Sequence, residues 1–145
     1  MMQTVEVEPK RFCTGSQSWE TRASVSAFPR LAKEFTQGEL FCRVDGSVDA
    51  RGAMRLHVRV EGVPTLCCQR CLGDLAHTLA IDRVVMLARD AAELERLEAD
   101  PDCDVIPLEN RLDLVALIED EVLLGLPLAP MHAVGECPPE GTRFF

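Results

Sequence analysis

Residues 54–60 (MRLHVRV) alternate without interruption, with Met54, Leu56, Val58 and Val60 on one side and Arg55, His57 and Arg59 on the other. That two-residue period is the signature of a β-strand with one buried and one solvated face. Upstream, Leu40, Cys42 and Val44 alternate with Phe41, Arg43 and Asp45, and the turn residues DARG at 49–52 separate the two runs. Together they predict a hairpin with its basic side chains on one surface.

Other segments read less strongly. Trp19–Val25 alternates loosely as a strand, and Pro29 suits the first turn of a short helix over PRLAKEF. After Gly62, Val63 and Pro64 comes a cysteine turn, then one long strand over Leu75–Leu87, interrupted at Arg83 with a bulge as one way to accommodate it. Residues 90–100 are rich in helix formers and stop at Pro101, and Cys103–Ile106 reads as a short strand before Pro107. Leu112–Leu124 is the strongest helix: Leu114, Leu117, Ile118, Glu121 and Val122 form its stripe, Asn110 or Asp113 its N-cap, and Pro127 lies beyond its end.

With 145 residues, 47% of them hydrophobic, 27% charged and 5% aromatic, the chain has the content of one globular domain, taken as 1–145. The expected fold class is α+β: a mostly antiparallel β-sheet, either open or barrel-like, with a few packed helices and an irregular segment over 127–145. No apolar run approaches a spanning length, and the N-terminus lacks a basic-then-apolar leader. These features predict a cytoplasmic protein without a membrane contact.

The net charge of −9 argues against nonspecific coating of nucleic acid, but it is unevenly distributed. Residues 1–70 carry ten basic and eight acidic side chains, a balance of +2, whereas 71–145 carry five and sixteen, a balance of −11. Arg43, Arg51, Arg55, Arg59 and Arg70 cluster in the first half, and the guanidinium fork suits phosphate or carboxylate. A solvated sheet face is the plainer account of the same residues. In the last helix Glu119, Asp120 and Glu121 crowd the C-terminal half, against the macrodipole, and so invite either internal arginines or an external basic surface. For Glu119 and Asp120 solvation is the plainer account.

Seven cysteines without a secretory signal point to reduced thiols. Cys68-Gln69-Arg70-Cys71 has the C-x-x-C spacing that aims two thiolates at one tetrahedral ion, and His132 with Cys137 in the Pro- and Gly-rich tail offers a second half. Structural Zn2+ on Cys68, Cys71, His132 and Cys137 would tie that tail to the sheet. Small buried thiols and a capping histidine are the alternative. Cys67 leaves the ligand register open by one residue, and Cys13, Cys42 and Cys103 read as core or surface positions. A thioredoxin-like use is disfavoured because the motif falls in a turn between strands. Nucleophile-elbow, metalloprotease, P-loop and dinucleotide motifs are all missing, so no enzyme and no small-molecule substrate is expected.

The run Leu66–Cys71, the helix Asp113–Leu124 and the following Leu126-Pro127-Leu128-Ala129-Pro130-Met131-His132, with Cys137 beyond, resemble the YceD family of large ribosomal RNA subunit accumulation proteins. The likeness is specific over 66–71 and 112–137 and looser over 17–65. It implies a ribosome-biogenesis factor needed for normal levels of 23S ribosomal RNA, acting in its synthesis, processing or stability, with no known catalysis. Cys68, Cys71, His132 and Cys137 match the family's Cys and His/Cys positions. Many relatives continue into a basic tail where this sequence reaches Phe145.

Two functional expectations follow. In the first, Arg43, Arg55, Arg59 and Arg70 meet large-subunit ribosomal RNA or precursor particles, directly or through a basic ribosomal protein that engages Glu119, Asp120 and Glu121. In the second, a zinc-stapled protein-interaction module makes no RNA contact.

Overall fold

The two alternating runs form the centre of a five-stranded sheet. The computed structural model describes residues 4–101 and 104–126. In chain order these form β1 (Glu6–Val7), α1 (Pro9–Thr14), β2 (Ser18–Ser24), two 3-10 turns (Val25–Ala27 and Leu31–Lys33), β3 (Glu39–Val48), β4 (Met54–Gly62), β5 (Thr65–Cys67) and β6 (Asp74–Ala76). There follow β7 (Leu79–Ala88), α2 (Ala91–Glu98), β8 (Asp104–Pro107), β9 (Leu112–Asp113) and α3 (Leu114–Leu124). The main sheet has the order β2-β3-β4-β7-β8, and the pairs β1-β9 and β5-β6 stand apart from it. All pairings are antiparallel except β7-β8, which α2 connects as the crossover that parallel neighbours require.

The architecture is therefore mixed α and β with a mostly antiparallel sheet, as expected, but the sheet is open. Among the described residues its end strands β2 and β8 are not bonded to each other. Closure into a barrel is unnecessary because one face is already covered. Leu40, Cys42 and Val44 of β3, Leu56, Val58 and Val60 of β4, and Val85 and Leu87 of β7 are buried there. They share one core with Leu114, Leu117, Ile118 and Val122 of α3, Phe12 of α1, and Val25, Phe28 and Leu31 of the 3-10 turns.

Three expectations need correction. The long strand Leu75–Leu87 is two strands: the His77 amide donates to the Pro64 carbonyl at 2.9 Å, which closes the β5-β6 hairpin before β7 starts. No bulge occurs at Arg83, since β7 runs in unbroken register from Leu79 opposite Gly62 to Leu87 opposite Met54. Arg83 stays in line because Asp104 meets it at 3.3 Å and Glu121 at 3.7 Å. Around Pro29 two 3-10 turns replace one helix, and the Ser24 hydroxyl caps the first by accepting from the Ser26 amide. The short elements β1, α1 and β9 were not foreseen.

The helix ends follow their capping chemistry. Asp90 accepts from the Glu93 amide at 2.8 Å and starts α2, inside the expected 90–100. Asp113, not Asn110, caps α3: its Oδ1 accepts from the Val115 amide at 3.0 Å and from the Val5 amide at 3.2 Å. Leu112 consequently belongs to β9, which pairs with β1. The expected strand from Cys103 is observed as Asp104–Pro107. Cys103 itself and the expected irregular segment 127–145 lie outside the described residues.

Gly46 lets α1 lie directly on β3. A Cβ there would stand 2.6 Å from both Cδ2 and the carbonyl oxygen of Phe12. Gly46→Ala should therefore lower stability by about 1–3 kcal/mol, read as a shift in the urea midpoint. Gly125→Ala, whose added Cβ meets nothing closer than 3.7 Å, should leave that midpoint nearly unchanged.

Candidate functional site

The outer face of the sheet carries a charged network in two adjoining rows. Glu20, Arg43, Arg59 and Asp82 are successive cross-strand neighbours on β2, β3, β4 and β7, and Ser18, Asp45, His57 and Val84 form the next row. Asp45 is the hub. It accepts from Arg43 Nε at 2.9 and 3.1 Å, from Arg59 Nη2 at 3.1 Å, and from the Ser18 hydroxyl. Arg43 also donates to Glu20 at 3.0 Å, and His57 pairs with Asp82. The Arg43 guanidinium, helped by Ser18 and Arg59 and opposed by partial burial, holds the Asp45 carboxyl far below the usual carboxylate range.

The structure thus brings Arg43, Arg55 and Arg59 to one face but commits Arg43 and Arg59 to internal carboxylates. Arg55 is exposed and, among the described residues, makes no ion pair; the same holds for Arg22 and Arg51. Arg22 lies 5.6 Å above the Phe41 ring on this face, a cation–π contact that leaves its guanidinium open to solvent. Arg22 went unremarked in the sequence, although its place in the β2 alternation marks it. The neutralising pair was also legible, since Arg43 and Asp45 sit two residues apart in one strand and so share a face. Arg70 is elsewhere, exposed in the cysteine turn.

The α3 carboxylates divide into three environments. Glu119, expected to be solvated, is only 4% exposed. Its Oε2 accepts from the Arg30 amide at 2.7 Å and its Oε1 from Arg30 Nε at 3.3 Å. Arg30 further donates to Asp120 at 2.6 Å and to the Ala116 carbonyl at 2.9 Å. This clasp joins the 3-10 region to α3 and makes Glu119 structural. Asp120 remains half-exposed at the surface end of the clasp. Glu121 is 6% exposed, and its buried Oε2 accepts no hydrogen bond among the described residues. Desolvation raises the Glu121 pKa, neighbouring Asp104 and Asp120 add to the rise, and Arg83 opposes it.

Cys68 and Cys71 are both buried in the turn that joins β5 to β6. The Cys68 amide donates to the Gly73 carbonyl at 2.9 Å and the Leu72 amide to the Cys68 carbonyl at 2.8 Å, with Leu72 in the left-handed region at φ 62°. Such a turn suits two ligands of one ion. His132 and Cys137 lie outside the described residues. Among the described residues no three His, Cys, Asp or Glu side chains gather as a metal site, so the zinc-stapled module gains no support. Elsewhere Cys13 and Cys42 are buried core thiols, and desolvation pushes Cys42 up to about 12.

A family model described as Large ribosomal RNA subunit accumulation protein YceD matches residues 56–143, more than half of the 145-residue chain. The chain belongs to the YceD family. The match runs from β4 through the cysteine turn and α3, so it spans Cys68, Cys71 and the three α3 carboxylates. Membership supports a role in ribosome biogenesis, in the accumulation of large-subunit ribosomal RNA. No solved structure matches the chain. Among the described residues no helix is long and apolar enough to cross a membrane.

Glu121 supplies a pH-dependent prediction for this YceD chain. Its folded pKa lies above the ordinary 4.5, so the ionised carboxylate costs stability at neutral pH, and the cost disappears as pH falls below that value. Glu121→Gln should stabilise the protein at pH 7, and melting curves of variant and parent should converge in acid.

Proposed function

We propose that this chain is a non-catalytic, cytoplasmic factor that sustains the synthesis, processing or stability of 23S ribosomal RNA while bound to large-subunit precursor particles. The observation that carries the reading is the family match over residues 56–143. The outer sheet face supports direct RNA contact: Arg22 and Arg55 are exposed there, Arg51 is exposed in the adjoining β3-β4 turn, and Arg22 with Phe41 offers a surface on which a base can stack. The internal network of Asp45 and Glu20 limits this contact to a few phosphates. That agrees with a chain of net charge −9 that engages a particle locally and does not wrap RNA.

Cells lacking the protein should show a fall in 23S relative to small-subunit ribosomal RNA, restored by the parent chain. Arg22→Glu with Arg55→Glu should weaken co-sedimentation with precursor particles and flatten its salt dependence by about one to two charges. Arg43→Ala should alter that slope much less, because its charge is already paired. An unchanged RNA ratio on depletion overturns the reading, and an unchanged salt slope removes the sheet face from it.

Structural Zn2+ held by Cys68, Cys71, His132 and Cys137 belongs to the same proposal, supported by the buried thiol pair in one turn. When bound, the ion would cross-link that turn to the chain beyond α3 without taking part in a reaction. Native mass spectrometry should find one zinc per chain, lost in Cys68→Ser and in His132→Ala. A metal-free, fully folded parent protein rules the ion out.

A further inference from the structure

A groove of about 500 Å³ runs between β8 and the C-terminal half of α3. Its apolar lining includes Val85, Ile106 and Leu117, and at its lip Leu124 is 74% exposed, the most exposed of the large hydrophobic residues in the described chain. Glu121 lines the same groove and holds there the buried Oε2 that accepts no hydrogen bond among the described residues. Arg83 Nε, at 3.7 Å, acts on this oxygen through its charge and is beyond hydrogen-bond reach.

We propose that this groove docks a basic protein segment, seating a lysine or arginine side chain on Glu121 while the apolar residues flanking that side chain cover Ile106, Leu117 and Leu124.

Charge complementarity selects this occupant. Asp104, Asp120 and Glu121 line the groove with Arg30 as the one guanidinium among its described lining residues; Arg30 is already bound to Glu119 and Asp120, and Arg83 beside the groove is bound to Asp104. A phosphodiester backbone would be repelled by this surplus of carboxylates. A cationic side chain instead supplies the hydrogen bond that Glu121 Oε2 lacks, and burial makes that bond specific. The raised Glu121 pKa agrees with a carboxylate that awaits a cation. The groove lies on α3 and β8 and the open arginines lie on the outer sheet face, so the protein can hold a basic protein and RNA at once. This docking goes beyond the RNA reading, and its test contains no RNA, so either can fail without the other.

The test titrates the full-length, 15N-labelled chain with the capped peptide Leu-Lys-Val-Lys-Leu, with its counterpart carrying Glu in place of Lys, and with spermidine. At millimolar peptide the lysine form should shift amides of 104–106 and 117–124. Glu121→Gln, which keeps the shape and should not unfold the protein, should weaken binding about tenfold or more. The acidic peptide should not bind, and spermidine, cationic without apolar flanks, should bind far more weakly. Equal affinity of the Gln variant, of the acidic peptide or of spermidine overturns the proposal. So does the absence of any shift in the groove, including the case in which residues 127–145 already cover it.

Discussion

Everything in this fold answers to one apolar face of one sheet. β3, β4 and β7 present Leu40, Val44, Leu56, Val58, Val60 and Val85 to the same side, and these residues together with α3 and α1 are withdrawn from water. Burial on that scale dominates the folding energy, and the remaining features make it geometrically achievable. Gly46 lets α1 approach, Asp113 starts α3 at the correct residue, and Arg30 draws Glu119 inward from the opposite side of the core. In the Arg30–Glu119 contact the carboxylate is buried and the guanidinium half-exposed, so truncating Arg30 leaves a desolvated carboxylate behind. Its importance lies in positioning α3 more than in net attraction.

That demand also separates two chemistries. The inner face is mainly hydrocarbon, with Thr21 and Arg83 as polar exceptions, so most polar groups of β2, β3, β4 and β7 lie on the outer face, where they settle one another's charge across the strands. A row of arginines on an acidic protein becomes a nearly neutral lattice with open guanidinium groups at Arg22 and Arg55, and Arg51 exposed in the turn beside it. Neutrality of this kind favours recognition by position and stacking over accumulation of counterions. The acidic character resides in the second half of the chain, around α2 and α3.

The sequence was most readable where one periodicity spans a whole element. The β3-β4 hairpin and α3 were legible because their apolar spacing is set by a single buried face, and α2 because a run of helix formers stops at Pro101. Leu75–Leu87 misled because His77 continues the alternation across a break that only the distant Pro64 carbonyl reveals. Glu119 was unreadable for a related reason: its partner is Arg30, 89 residues away, and nothing local distinguishes it from solvated Asp120. Glu121 was legible as a carboxylate on the apolar stripe, whereas the missing hydrogen bond at its Oε2 depends on how β7 and β8 pack beside it. The turn holding Cys68 and Cys71 was visible from spacing alone, because C-x-x-C constrains backbone and ligand geometry together.

The β1-β9 pair sets an order of events during synthesis. Val7 lies opposite Leu112, Glu6 opposite Asp113, and the Val5 carbonyl receives the Leu114 amide at the first residue of α3. The earliest described residues thus find their places only with those that open the last helix. The inner face of the sheet cannot be sealed until α3 has been translated. Until then the nascent chain presents a hydrocarbon surface at the ribosome's exit, in need of temporary shelter.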